Sequence, residues 1–139
     1  MKLVIVGPTY RVSKDTLTKV AKAAFSYLKV EGDEGEIELK FVTEPVIREL
    51  NRNYRGIDRP TDVLSFNVSA DPLAAQIVIC YTYTVKQAEK VNKTLTDEVS
   101  LLLIHGILHI YGLDHAEKLA EAEMQKMETE ILKLEGITR

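Results

Sequence analysis

Tryptophan is absent from this 139-residue chain, and cysteine occurs once, at Cys80. A single cysteine excludes an internal disulfide and fits a reducing compartment. Its plainest role is that of a small buried hydrophobe in a strand. Long apolar runs are also missing: no segment reaches the roughly 20 residues of a membrane-spanning helix. An export signal is not expected, because the apolar stretch Lys2 to Val6 is short and Gly7-Pro8 ends it. Positive charge is not in excess. The net charge is −3, so any contact with nucleic acid must come from a local patch. Histidine is scarce too: the chain has three, and all fall within HGILHIYGLDH as His105, His109 and His115.

What is present suffices for one folded domain spanning residues 1–139, with 45% hydrophobic residues to build a core. Lys2 to Val6 reads as a strand. Ser13 is placed to cap a helix to about Leu28, with Leu17, Val20, Ala21, Ala24, Phe25 and Leu28 as its apolar stripe. Glu36 to Val42 alternates, so a half-buried strand is expected. Thr43 can cap a short helix carrying Val46, Ile47 and Leu50 inward, with Pro45 in its first turn. Tyr54 to Asp62 reads as a loop, Val63 to Phe66 as a strand and Asn67 to Pro72 as a loop. Gln76 to Tyr81 is apolar enough for a central strand. Helices follow: Thr84 to Asn92, then one from near Thr96 through the first two histidines, then Ala116 to about Leu134. Ala120, Met124, Met127, Ile131 and Leu134 form the expected seam of the last helix. The fold class is α+β, a small mixed sheet packed with helices.

The histidine spacing carries the chemistry. Residues four apart on a helix differ by about 40° and about 6 Å of rise, so His105 and His109 point the same way. On a continuous helix His115 would lie about 15 Å from His105 and about 80° round. Gly112 supplies the break, since glycine accepts the left-handed conformation that commonly ends helices. Leu113 and Asp114 then return His115. Three imidazoles leave a fourth position on a zinc ion open, the pattern of a catalytic, zincin-like site at a helix end. Zinc with an open position makes water nucleophilic near neutral pH, so the reaction class is hydrolysis. The zincin peptidases place a glutamate base directly after the first histidine, but that position here is Gly106. This disfavours the peptidase mechanism. Asp114 is the nearest substitute carboxylate, and capping the turn or orienting a ligand are its other roles.

A phosphodiester substrate needs cations instead, and arginine forks match phosphate oxygens in pairs. Four of the six arginines, Arg48, Arg52, Arg55 and Arg59, lie within 12 residues. Such a run is ordinarily a solvated helix face. Next to the metal it would be a phosphate clamp.

Two stretches together carry a resemblance. HGILHIYGLDH resembles the HGxLHLxGYDH signature of the YbeY family of bacterial rRNA-maturation endoribonucleases. ELNRNYRGIDRPTDVLSF is similar to that family's second motif, LNxxYRxxDxPTDVLSFP. The resemblance implies a single-strand-specific, metal-dependent endoribonuclease of the cytoplasm. It would act in 16S rRNA 3′-end maturation and ribosome quality control, with the ribosome or its small subunit as partner. It also implies zinc on His105, His109 and His115, and Arg55 as the arginine of the active-site cleft. Thr61, Asp62, Ser65 and Phe66 would shape the strand edge beside the metal. Three positions depart from the pattern: Leu113 stands for Tyr, Asn67 for Pro, and Ala75-Gln76 for Gly-Asp. The competing expectations are a different zinc hydrolase, peptidase-like, and a non-enzymatic ribosome-associated protein whose zinc braces the fold.

Overall fold

Alternation organises the sheet. In the computed structural model, which describes residues 1–113 and 118–137, Ile37, Leu39 and Phe41 are buried while their neighbours are less so. They belong to β2 (Gly35–Val42), which lies parallel to β1 (Lys2–Val6) on one side. On its other side β2 lies parallel to β4 (Leu73–Cys80), with Leu39 opposite Ile77 and Phe41 opposite Ile79. β3 (Val63–Ala70) runs antiparallel to β4, so the order is β1-β2-β4-β3 and β3 is an edge.

One face of this sheet carries the main core. Ile37, Leu39, Phe41, Ala75, Ile77 and Ile79 meet the buried residues of α1 (Lys14–Tyr27), α4 (Leu95–Ile110) and α5 (Lys118–Leu134). α1 forms as expected: Ser13 Oγ accepts from the Thr16 amide at 3.2 Å, and Leu17, Val20, Ala21, Ala24 and Phe25 point inward. The opposite face is covered in part by α2 (Glu44–Arg55), whose Ile47 packs on Leu64, Val78 and Cys80. Cys80 is fully buried, as its composition-level reading required. Neighbouring residues on β3 and β4 therefore serve different layers, a consequence of the two-residue period of a strand.

The structure departs from the sequence reading at several boundaries. β3 continues to Ala70 instead of ending at Phe66, and with β4 it makes a hairpin that pairs Ala70 with Leu73. The ladder needs only backbone groups, so it extends through Asn67 and Ser69, which offer no apolar signal. β4 starts at Leu73 and ends at Cys80, and Tyr81 already opens α3 (Tyr81–Lys90). That helix begins without a side-chain cap on its first turn, so no Ser or Asp announces it. Of the last helix's seam, Met124 and Ile131 are buried, but Leu134 is 61% exposed at the helix end and Leu132 is buried instead. The expected start of that helix, Ala116, lies outside the described residues.

Candidate metal centre

α4 starts with Thr94, whose Oγ1 accepts from the Asp97 amide at 3.1 Å, and Asp97 and Glu98 occupy the positive end of the helix. From residue 101 to 110 the helix is buried everywhere except Leu101, His105 and His109. These recur every four residues and form one narrow strip. Leu103, Ile104, Ile107 and Leu108 are fully buried. At about 1.5–3 kcal/mol for each such side chain, apolar burial alone fixes this helix. The strip is what remains for chemistry. The two imidazole rings on it lie 4.9 Å apart between centroids, tilted by 52°.

The helix ends where the sequence predicts. Gly112 adopts φ +83°. Its amide bonds to the His109 carbonyl at 2.9 Å, and the Leu113 amide reaches the Leu108 carbonyl at 2.9 Å. This pair of bonds is the Schellman termination, which closes the carbonyls left open by the last turn. Asp114 and His115 follow directly and lie outside the described residues. Among the described residues no three His, Cys, Asp or Glu side chains form a set that could hold a metal ion.

A carboxylate that the sequence reading missed orients the first histidine. Glu128 of α5 is 2% exposed, and its Oε2 lies 2.7 Å from His105 Nδ1. Opposite an ionised carboxylate, which only accepts, Nδ1 is the donor of this bond. Metal-ligating histidines ordinarily donate their second nitrogen to such an acceptor. The donor set present, two neighbouring imidazoles tilted against each other with one ring held by a buried carboxylate, fits zinc or a similar ion. The signal existed: Glu128 falls between Met124 and Ile131, inside the apolar seam of α5, where a charge needs a partner.

Gly106 accounts for the missing zincin glutamate. It faces the sheet, and a Cβ built there would stand 2.9 Å from Ile77 Cδ1. The residue after the first histidine therefore packs against β4 and cannot act as a base over the histidines. Edge strand β3 flanks the site: Ser65 Oγ reaches the Gly106 carbonyl at 3.5 Å, and Asn67 Nδ2 donates to the Ile110 carbonyl at 3.2 Å. At the start of this strand Asp62 and Val63, together with Glu98, His105 and Glu128, line a cleft of about 400 Å³.

The arginines separate into two kinds. Arg48 holds Asp58 through two bonds, of 2.9 and 3.3 Å. The hydrogen bond from Arg48 lowers the Asp58 pKa below the usual carboxylate value. Arg52, Arg55 and Arg59 are exposed and form no salt bridge among the described residues. Arg55 closes α2, in the layer opposite α4, and no described hydrogen bond joins it to the histidines. The loop after it leads to the cleft: Asn51, 2% exposed, donates to the Arg59 carbonyl at 2.9 Å, and Asp62 lies on the cleft wall. Of the other motif residues, Ser65 faces α4, whereas Phe66 faces the α2 layer, so only part of that motif lies beside the histidines. Gln76 also faces away from α4, and its Nε2 donates to Glu38 at 3.1 Å. An acid at that position would not face the histidines.

A mixed four-stranded sheet, a buried helix carrying two histidines on its one open strip and a run of exposed arginines on the opposite layer define an α+β protein with a candidate hydrolase site. Comparison with known proteins supplies the particular family. The family model described as Endoribonuclease YbeY matches residues 8–135. The Endoribonuclease YbeY of Bacillus velezensis is 38% identical, over 97% of this chain and 96% of its own length. Those of Moorella thermoacetica and Bacillus subtilis are 38% and 33% identical, over 89% and 97% of this chain and 87% and 96% of their own lengths. The solution structure of TM1509 from Thermotoga maritima aligns with a TM-score of 0.65 at 27% identity, covering 96% of this chain and 91% of its own. The chain belongs to the YbeY endoribonuclease family.

Proposed function

We propose that this chain cuts single-stranded RNA at a metal centre formed by His105, His109 and His115, with Arg55 neutralising charge on the phosphate. Endoribonuclease activity in rRNA processing is the function its family carries. The observation that supports the metal centre best is the His105–Glu128 contact. It holds one imidazole through Nδ1, the arrangement in which a metal-ligating histidine uses its other nitrogen. A bound zinc ion would supply Lewis acidity at the phosphate and a nucleophile near neutral pH. His105 and His109 would hold it from adjacent turns, and His115 would return beyond Gly112 as the third ligand. Asp114 is proposed as a positioning or proton-accepting carboxylate next to that ligand. Arg52, Arg55 and Arg59, exposed and without a salt bridge among the described residues, suit a polyanionic substrate. No helix among the described residues is long and apolar enough to cross a membrane. A cytoplasmic site of action on 16S rRNA, at the ribosome or its small subunit, completes the proposal, with the whole of 1–139 acting as one domain.

The test pairs metal content with cleavage. Wild type should carry close to one zinc per chain by elemental analysis and cut a single-stranded RNA bearing a 16S 3′ end. His109→Ala should lose both, and Arg55→Ala should keep the metal and lose cutting. Wild type with zinc but no cutting of any RNA would defeat the catalytic reading. Full cutting by Arg55→Ala would remove the clamp.

A further inference from the structure

On the α2 side of edge strand β3, an aromatic ring stands in solvent on a helix whose last turn also carries exposed arginines without a salt bridge among the described residues. Tyr54 is 69% exposed. Its ring lies 5.1 Å from that of Phe66 at an interplanar angle of 61°. Phe66 is itself anchored against the small core formed by Ile47, Leu64, Val78 and Cys80. The pair is thus a ring held at its edge by a fixed neighbour, with most of its area open. An exposed aromatic ring contributes little to folding, because burial is what stabilises it. Arg55 follows Tyr54 directly and Arg52 lies two residues before it. Neither forms a salt bridge among the described residues, whereas Arg48 on the same helix is spent on Asp58. In a chain of net charge −3 this local surplus of cations is not a by-product of composition.

We propose that Tyr54, braced by Phe66, is a stacking subsite for one unpaired base of the RNA substrate, with Arg52 and Arg55 holding the adjoining phosphates. The subsite rests on the reading that RNA is the substrate. Aromatic planes beside basic side chains are how proteins hold single strands, since every base has a π-face and every linkage a charge. The placement fits a strand that also reaches the histidines. Ser65 faces α4 and touches Gly106, and the next residue, Phe66, faces the Tyr54 platform. A single RNA strand crossing the β3 edge would meet the cleft on one face and the stacking ring on the other. A duplex could not stack there, because its bases are already paired and enclosed, so the subsite also selects unpaired RNA.

The test measures binding of a fluorescently labelled single-stranded RNA by anisotropy, with metal chelated so that nothing is cut. Tyr54→Ala should bind about tenfold more weakly, while Tyr54→Phe should match wild type. Tyr54→Leu keeps an apolar contact for Phe66 but no ring plane, and it should behave like Tyr54→Ala. A series of RNAs with one abasic position each should reveal, in wild type, one position that costs a similar factor. In Tyr54→Ala that same RNA should lose nothing further. With metal restored, Tyr54→Ala should raise KM and leave kcat close to wild type. Unchanged RNA affinity in Tyr54→Ala overturns the subsite and leaves the ring as a contact for another partner. Equal sensitivity of wild type and variant to every abasic position overturns it as well. If wild type neither binds nor cuts RNA, the substrate reading fails first and the subsite with it. Cutting by wild type with an indifferent Tyr54→Ala sinks the subsite alone.

Discussion

Gly106→Ala tests how tightly the histidine helix is set on the sheet. The alanine methyl would stand 2.9 Å from Ile77 Cδ1 and 3.2 Å from its Cγ1 and Cγ2. Carbon atoms pack best at about 3.5–4.0 Å, so the methyl arrives at least about 0.6 Å too close. Ile77 is fully buried and Gly106 is buried as well, so neither has solvent to move into. Overpacking of this kind costs about 1–3 kcal/mol. Alanine in a helix interior returns about 1 kcal/mol relative to glycine. The expected net is a loss of about 1 kcal/mol, too small a margin to judge from one variant. A double-mutant cycle with Ile77→Val removes the closest methyl and isolates the clash. Ile77→Val alone should cost about 0.5–1.5 kcal/mol. The double variant should be more stable than the sum of the two by about 1 kcal/mol. Urea unfolding of the metal-free proteins at one pH, followed by far-ultraviolet circular dichroism, gives all four corners. Additivity within about 0.5 kcal/mol, or a Gly106→Ala variant more stable than wild type, would refute the close approach.

Two further outcomes follow from the same geometry. Glu128→Gln keeps an acceptor near His105 Nδ1 but loses the charge, so zinc affinity should fall about tenfold in a competition titration with a chromophoric chelator at fixed pH; unchanged affinity would show that Glu128 does not tune the ligand. Tyr27 donates to Glu130 at 2.6 Å and joins α1 to α5. This hydrogen bond, then burial, raises the Tyr27 pKa above its ordinary value. Its folded value exceeds its unfolded one, so the contribution is fully present below about pH 10 and is lost as pH rises through the folded pKa. Alkaline unfolding curves of wild type and Tyr27→Phe should converge at high pH, and a constant gap between them would contradict that sign.

Local signals in the sequence were read most reliably. Ser13 and Gly112 mark helix ends through bonds made within a few residues, so their meaning survives without the fold, whereas the histidine helix, expected from near Thr96, starts at Leu95 with Thr94 as its cap. Alternation in β2 and the apolar run of β4 likewise give a face and an interior position, because burial repeats with the strand period. Contacts made across layers were not legible. Glu128 lies 23 residues beyond His105, and only its place in an apolar seam hinted at a buried partner. The continuous motif from Thr61 to Phe66 reads as one unit in sequence, yet successive strand residues face opposite layers, so Ser65 and Phe66 serve different surfaces. Which arginine Asp58 would take was decided by the turn after α2, and it is Arg48 that bonds to it.

The cleft beside His105 draws its walls from residues 62, 98, 105 and 128. Chains emerge from the ribosome in order, and their earlier parts begin to fold first. While the protein is being made, its arginines and aromatic platform are therefore available before α5 has docked. The buried carboxylate that orients the first histidine arrives only with that helix. An RNA-cutting enzyme is built by a machine made largely of RNA, and this order of assembly leaves the cleft beside His105 without its Glu128 wall until nearly all of the described chain has been synthesised.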